Sequence, residues 1–202
     1  MTKQFHGHTL SHEALEQLFL EARSYNGWLE KDVSEDQIRK VYDLLKMGPT
    51  SANQQSARFV WCRSDEAKDK LASRAMDANK DKIKTAPWCV IIGYDIDFHE
   101  HLPELFPHTD AKSWFEGDVE GRIEQAKRNS ALQGAYLMLA ARALGLDCGP
   151  MSGLDLDKVT EDFFADQPQY RADWVCSIGY GDKESIFDRS PRPDFDKFNR
   201  ID

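Results

Sequence analysis

Apolar positions along this chain follow two rhythms, one recurring every three to four residues and one in short unbroken runs. After Ser11, a residue type that caps helix N-termini, Leu15, Leu18, Phe19 and Ala22 share one helical face. Ser34 and Gln37 have the spacing of a capping box. Ile38, Val41, Tyr42 and Leu45 then form the inward stripe of a second helix. A strand is predicted over about residues 58–63 and a charged helix from about Asp65. Trp88 to Asp95 reads as a fully buried strand. A long helix is predicted from about Gly121 to Leu144. It is apolar nearly all round from Leu132 onward and therefore central, and Gly145-Leu146 is its stop. A short strand, a helix over about 155–165 begun by Asp155, and a buried strand from about Asp173 to Tyr180 follow. Regular alternation of strand and helix is missing, so the pattern predicts an α+β fold.

Two stretches lack any period. Residues 96–120 hold Phe98, His99, His101, Leu102, Leu105, Phe106, His108, Trp114 and Phe115 between Pro103, Pro107 and charged residues. Such a segment is a lid or binding loop, or a surface excursion that packs its own aromatics. The tail from about Gly181 is polar, with Pro191 and Pro193, yet carries Phe187, Phe195, Phe198 and Ile201. It has no core of its own, and residues 183–202 are expected to pack on a partner subunit. With no repeat or linker, residues 1–202 are expected to form one domain.

Composition narrows the function. Hydrophobic residues make up 41% and charged residues 30%, and the net charge is −9. An acidic chain of this kind argues against binding nucleic acid or an anionic membrane surface. No run approaches the roughly 20 apolar residues of a membrane span, and the start has no signal-peptide stretch. Cys62, Cys89, Cys148 and Cys176 have no CxxC spacing and read as buried thiols of a reducing compartment, hence a cytoplasmic protein. The histidine groups His6/His8/His12 and His99/His101/His108 lack the companions of a known metal motif, so no metal site is expected. There is no GxGxxG or phosphate-loop pattern, and in Gly149–Gly153 the serine is misplaced for a nucleophile elbow.

What remains is a polar turn and a few arginines. Gly48-Pro49-Thr50-Ser51-Ala52-Asn53-Gln54-Gln55 joins the second helix to the first strand. Its hydroxyls and amides suit a flat heterocycle with polar edges, or else a plain helix-to-strand turn. Arg23 stands beside Ser24, Tyr25 and Asn26, and Arg189 and Arg192 lie in the tail. Guanidinium groups beside hydroxyls have the forked donors a phosphate takes; taken singly, each also reads as a solvated surface arginine.

Five segments in this order resemble the FMN-dependent nitroreductase family over essentially the whole chain. They are Ala22–Asn26, Pro49–Gln55, Asn79–Lys82 before Ala86-Pro87, Ala143–Asp147 leading into Gly149–Gly153, and Arg189–Arg192. Phe106-Pro107-His108, Trp114-Phe115 and Arg128-Asn129-Ser130 resemble the branch typified by malonic semialdehyde reductase. The resemblance implies a three-layer sandwich with a mixed central sheet flanked by helices, in an intertwined homodimer with one FMN at each of two subunit boundaries. It implies ping-pong hydride transfer from NADH or NADPH to a small organic acceptor, either malonic semialdehyde, giving 3-hydroxypropionate, or a nitro or quinone compound. By motif, Arg23 and Ser24 match phosphate and ribityl contacts, with Asn26 beside them taken as a further cofactor-binding residue, and Thr50, Ser51 and Asn53 match the loop that reaches the partner's flavin. Asn79 and Lys82 match the flavin's pyrimidine edge, where Lys82 supplies the electrostatic role. Pro150, Met151, Ser152 and Gly153 match the turn beside the ring, and Arg189 with Arg192 the pair closing on phosphate. Phe106, Trp114 and Phe115 are the expected lid, with His108 and Arg128 as anchors for an anionic substrate. Three departures stand out: Ala22 and Asn26 where many members are basic, and Ser56 where proline is usual. A non-enzymatic flavin-binding or flavin-sensing protein is the alternative. Oxygen-dependent destruction of the flavin is a third reading on the same fold.

Overall fold

The structure, a computed structural model, describes residues 7–202; His6 of the first histidine group lies outside them. Four strands, β1 (Ala57–Cys62), β2 (Trp88–Asp95), β3 (Asp147–Met151) and β4 (Tyr170–Gly179), form one sheet in the order β1-β2-β4-β3. β2 is central because both its faces are apolar. Trp88, Val90 and Ile92 enter one core and Cys89 and Ile91 the other, the period of two that a doubly covered strand requires. All three strand pairs are antiparallel, and the parallel component is confined to a bridge between Ser24 and Cys148. Gly93 sits at the register shift between β2 and β4, where a Cβ would lie 2.6 Å from the Arg171 carbonyl oxygen.

Helices cover both faces. α1 (His12–Leu15) continues directly into a π-helical turn, Glu16–Leu20. α2 (Glu35–Leu45) has the capping box on Ser34 and Gln37 and buries Ile38, Val41 and Leu45, but Tyr42 stays half exposed. The charged stretch after Asp65 is two helices, α3 (Asp65–Ala72) and α4 (Asp77–Lys84). α5 (Leu102–Leu105) is a single turn, and α6 (Val119–Ala143) is the long helix, capped by Asp118. α7 (Leu156–Phe163) follows Asp155, and α8 (Phe195–Phe198) is a turn in the tail. α2 and α6 pack on one face of the sheet, and α3, α4 and α7 on the other, giving three layers. α6 ends as expected: Gly145 is left-handed at φ 74°, and the Leu146 amide bonds back to the Ala141 carbonyl.

Several expectations are corrected. The first helix does not present one apolar face to the core. The π turn rotates it, and Phe19 and Leu20 are exposed. α6 is not buried all round, since Leu132 and Tyr136 face outward while Gln133 and Gly134 are buried. β4 begins three residues earlier than Asp173, because Gly93, Tyr94 and Asp95 extend the pairing to Ala172, Arg171 and Tyr170. All four cysteines are buried free thiols, as expected. No helix among the described residues is long and apolar enough to cross a membrane.

Candidate functional site

The segment Ser24–Leu29 is stitched between β3 and the start of the tail. The Tyr25 amide donates to the Cys148 carbonyl, the Leu29 amide to Tyr180, and the Asp182 amide to Gly27. This places Arg23, Ser24 and Asn26 at the β3 edge of the sheet. The tail closes over the same segment. Asn26 Nδ2 donates to the Ser185 carbonyl at 3.0 Å, Arg23 donates to the Phe187 carbonyl, and Arg189 to the Ala22 carbonyl at 3.3 Å. Arg192 does not join them; it bonds only to Ser190 and Pro191.

Lys82 reaches the same edge from α4. The side chain is 6% exposed, and its Nζ lies 3.4 Å from Asn26 Oδ1 and 3.4 Å from the Pro150 carbonyl. Among the described residues it forms no ion pair with a carboxylate, and burial pushes its pKa below the ordinary lysine value. Its carbonyl is pinned twice, by Trp28 Nε1 and by Ser177 Oγ, each at 3.1 Å. Asn79, on the same helix, donates from Nδ2 to the Gly153 carbonyl at 3.2 Å. Two glycines make the crowding possible. A Cβ on Gly149 would lie 2.6 Å from Lys82 Cε, and one on Gly153 2.8 Å from Asn79 Nδ2. Of the turn Pro150–Gly153, Met151 is turned into the core, so this turn offers backbone groups and the Ser152 hydroxyl.

The Thr50–Gln55 loop is elsewhere. It precedes β1, at the opposite edge of the sheet. Three strand spacings separate the two edges, about 14 Å, and the level of Ala57 lies five residues from that of Cys62, Cys89 and Ser177, about 17 Å along the strands. Ala52, Asn53 and Gln55 all have positive φ, at 49°, 48° and 42°, a cluster that non-glycine residues adopt only under constraint. Gln54 is fully buried, and neither of its amide atoms has a partner. The Ser51 amide donates to Asn129 Oδ1 at 2.8 Å, and Thr50 Oγ1 accepts from the Gln55 amide at 3.2 Å. Ser56 uses its hydroxyl to grip the Ala126 carbonyl, a buried contact that a proline there could not make. A cavity of about 480 Å³ opens beside the loop, lined in part by Asn53, Gln55, Arg58, Phe59 and His101.

The 96–120 segment is an ordered cap with a core of its own. Phe98, Leu102, Ala111 and Ala126 are buried together, and Phe115 meets Phe98 edge-on at 5.0 Å. Arg122 ties it to α6 through the Ile96 and Phe115 carbonyls and Asp97. Phe106 lies between His108 and the exposed Trp114, at 5.2 and 6.2 Å. Phe115 therefore faces the cap's interior. Arg128 is exposed and paired with Glu124 one turn away, so the chain does not bring it to His108. Among the described residues, no group of three or more metal-ligating side chains is clustered.

Trp28, Ser177, Asn129 and Gln133 were not anticipated as site residues. The signal for the last three was present: a serine inside an apolar strand and two amides on the buried face of a central helix.

Known proteins share this architecture. A solved structure of a provisionally assigned Bacillus subtilis nitroreductase superposes with TM-score 0.85 at 21% identity, covering 95% of this chain and 100% of that one. A provisionally assigned nitroreductase of Exiguobacterium sibiricum, solved in complex with FMN, gives 0.83 at 19% identity, covering 96% and 99%. The fold is thus the nitroreductase fold. The Nitroreductase family model matches residues 2–182, and the chain belongs to that family. A Stenotrophomonas maltophilia protein provisionally named NADH dehydrogenase/NAD(P)H nitroreductase is 55% identical over 194 residues, 96% of this chain and 98% of that protein.

Proposed function

We propose that this chain is an FMN-dependent NAD(P)H oxidoreductase that reduces a small organic acceptor, with malonic semialdehyde, nitro compounds and quinones as the candidate acceptors. The observation that carries the reading is Lys82, a buried lysine with no carboxylate partner, among two amide side chains and a close-packed backbone turn. These donors suit the polar edge of a flavin, and Arg23, Ser24 and Arg189 suit its phosphate and ribityl chain. FMN, when bound, supplies the hydride chemistry. Lys82 and Asn79 hold the pyrimidine edge and favour negative charge there. The backbone of Pro150–Gly153 flanks the ring. Asn26 spaces Lys82 from the tail, so the site is assembled only when the tail is in place.

The Thr50–Asn53 loop is too far away to serve the same site in one chain. A second copy brings it there, which makes the functional unit a homodimer. The 96–120 cap, next to that loop, excludes water from the acceptor, with Phe106 and Trp114 as its outer aromatics. Arg128 is left out as an anchor because Glu124 already neutralises it.

Titration with FMN should quench flavin fluorescence at one equivalent per chain and raise the melting temperature by mass action. No thermal shift in excess FMN refutes the reading. If FMN binds, anaerobic mixing with NADH or NADPH must bleach its absorbance. A complex that both donors leave fully oxidised is a flavin-binding protein rather than a reductase. Turnover of quinones but not of malonic semialdehyde would remove that acceptor alone.

A further inference from the structure

We infer that Gln133 is a positioning residue that locks the Thr50–Gln55 loop to the 96–120 cap through a one-way relay of side-chain amides. The bearing of this relay on cofactor binding rests on the function proposed above; the coupling of loop to cap does not.

The relay starts on α6, where Gln133 is 4% exposed. Its Oε1 accepts the Ala57 amide at 2.8 Å, and its Nε2 donates to Gln55 Oε1 at 2.7 Å. Gln55 Nε2 donates to Asn53 Oδ1 at 3.0 Å, and Asn53 Nδ2 donates to the Leu105 carbonyl at 2.8 Å, at the end of α5. Both ends fix its direction, since the Ala57 amide only donates and the Leu105 carbonyl only accepts. No amide can turn over without setting two donors or two acceptors against each other. The relay therefore transmits orientation as well as contact.

It acts where the backbone most needs support. Gln55 and Asn53 are two of the three non-glycine residues held at positive φ among the described residues. α6 grips the loop at three levels: the Ala126 carbonyl holds Ser56, Asn129 holds Ser51, and Gln133 holds Gln55. The third grip continues into the cap by hydrogen bonds, beside the apolar contact of Ala126 and Ala52 with the cap's core. Because the Asn53 amide is committed to Gln55 and Leu105, its side chain serves the cap.

Gln133→Glu tests the direction of the relay. The carboxylate still accepts from Ala57 but has no hydrogen to give Gln55. Gln55 then turns over, Asn53 follows, and the Asn53 oxygen is left facing the Leu105 carbonyl. Hydrogen exchange of the residue 102–106 amides, including Phe106 on Leu102, is expected to quicken by roughly five- to tenfold, the effect of one lost hydrogen bond. Amides of β2 are expected to keep their rates. Gln55→Glu breaks the same relay from a half-exposed position and decides the matter if the buried carboxylate prevents folding. Unchanged exchange at 102–106 in a folded variant overturns the inference, as does an increase shared equally by β2. The effect on the cofactor is read as an FMN dissociation constant raised at least about threefold in both variants. If the unaltered protein binds no FMN, the proposed function fails, while the exchange result still judges the relay.

Discussion

In the proposed function, Lys82 is the residue on which most of the chemistry turns. Its charge is held in a site with amide and carbonyl oxygens at 3.4 Å and no carboxylate, so burial lowers its pKa. Between that lowered value and 10.5, the unfolded chain binds more protons than the folded one, so the stability of the ligand-free protein should rise with pH across this window. Lys82→Met should flatten that rise and leave the ligand-free melting temperature equal or higher, because an unpaired buried charge is removed. The same variant should weaken FMN binding roughly 10- to 100-fold, the effect of losing a hydrogen bond to a charged group. Melting curves across alkaline pH and a flavin titration check both; unchanged affinity would make Lys82 structural. Cys62 and Cys89 behave oppositely. Burial pushes Cys62 to about 12 and Cys89 to about 11, so both stay protonated and unreactive in the native protein. A thiol reagent should find all four cysteines only after unfolding.

At the scale of elements, the end of α6 and the tail give separable tests. Gly145 has φ 74°, and a Cβ there would touch nothing, so the cost of Gly145→Ala is backbone strain alone, about 1 kcal/mol. Chemical denaturation should show a lower midpoint with an unchanged slope. The tail divides at Arg189. Up to that residue it is bonded to Ala22–Gly27, and beyond it Phe195, Phe198 and Ile201 are exposed. Truncation after Arg189 should weaken self-association while sparing the Asn26–Ser185 contacts. Truncation after Asp182 should also lower the melting temperature and abolish flavin binding. Sedimentation of the two truncations separates these outcomes, and a chain ending at Asp182 that remains dimeric would count against the tail's role.

For the whole molecule, the decisive feature is that the proposed ligand groups occupy opposite edges of the sheet. Exposed apolar residues accompany this separation: Phe19 and Leu20 in the π turn, Met47 before the strained loop, and Leu132 on α6. In the proposed homodimer a second copy would both cover such surface and complete the site. The melting temperature should therefore rise with protein concentration, and dilution that releases monomer should release flavin with it. A flavin-loaded monomer in sedimentation would contradict this.

The sequence by itself determined the layers. The buried run of β2, the capping box of α2 with Ile38, Val41 and Leu45 of its stripe, and the Gly145 stop all follow from local chemistry and are found where they were read, whereas Tyr42 of that stripe stays half exposed. The same holds for the segments that resemble the Nitroreductase family, since the identity of Arg23, Asn79 or Lys82 is written in the chain. Only the tertiary structure decided which of these residues meet. Lys82 is an ordinary surface lysine by helical pattern; it is buried because Gly149 lets β3 approach and because Trp28 and Ser177 fix its backbone, contacts that join residues 28, 82 and 177. Gln133 carries no local signal of its partners on α6, and the role inferred for it depends on the loop before β1 passing beside it. The first helix differs for the same reason in reverse: its apolar residues predict burial, but among the described residues Phe19 and Leu20 are left about half exposed. Local sequence sets which surface each element offers, and long-range packing sets what that surface meets.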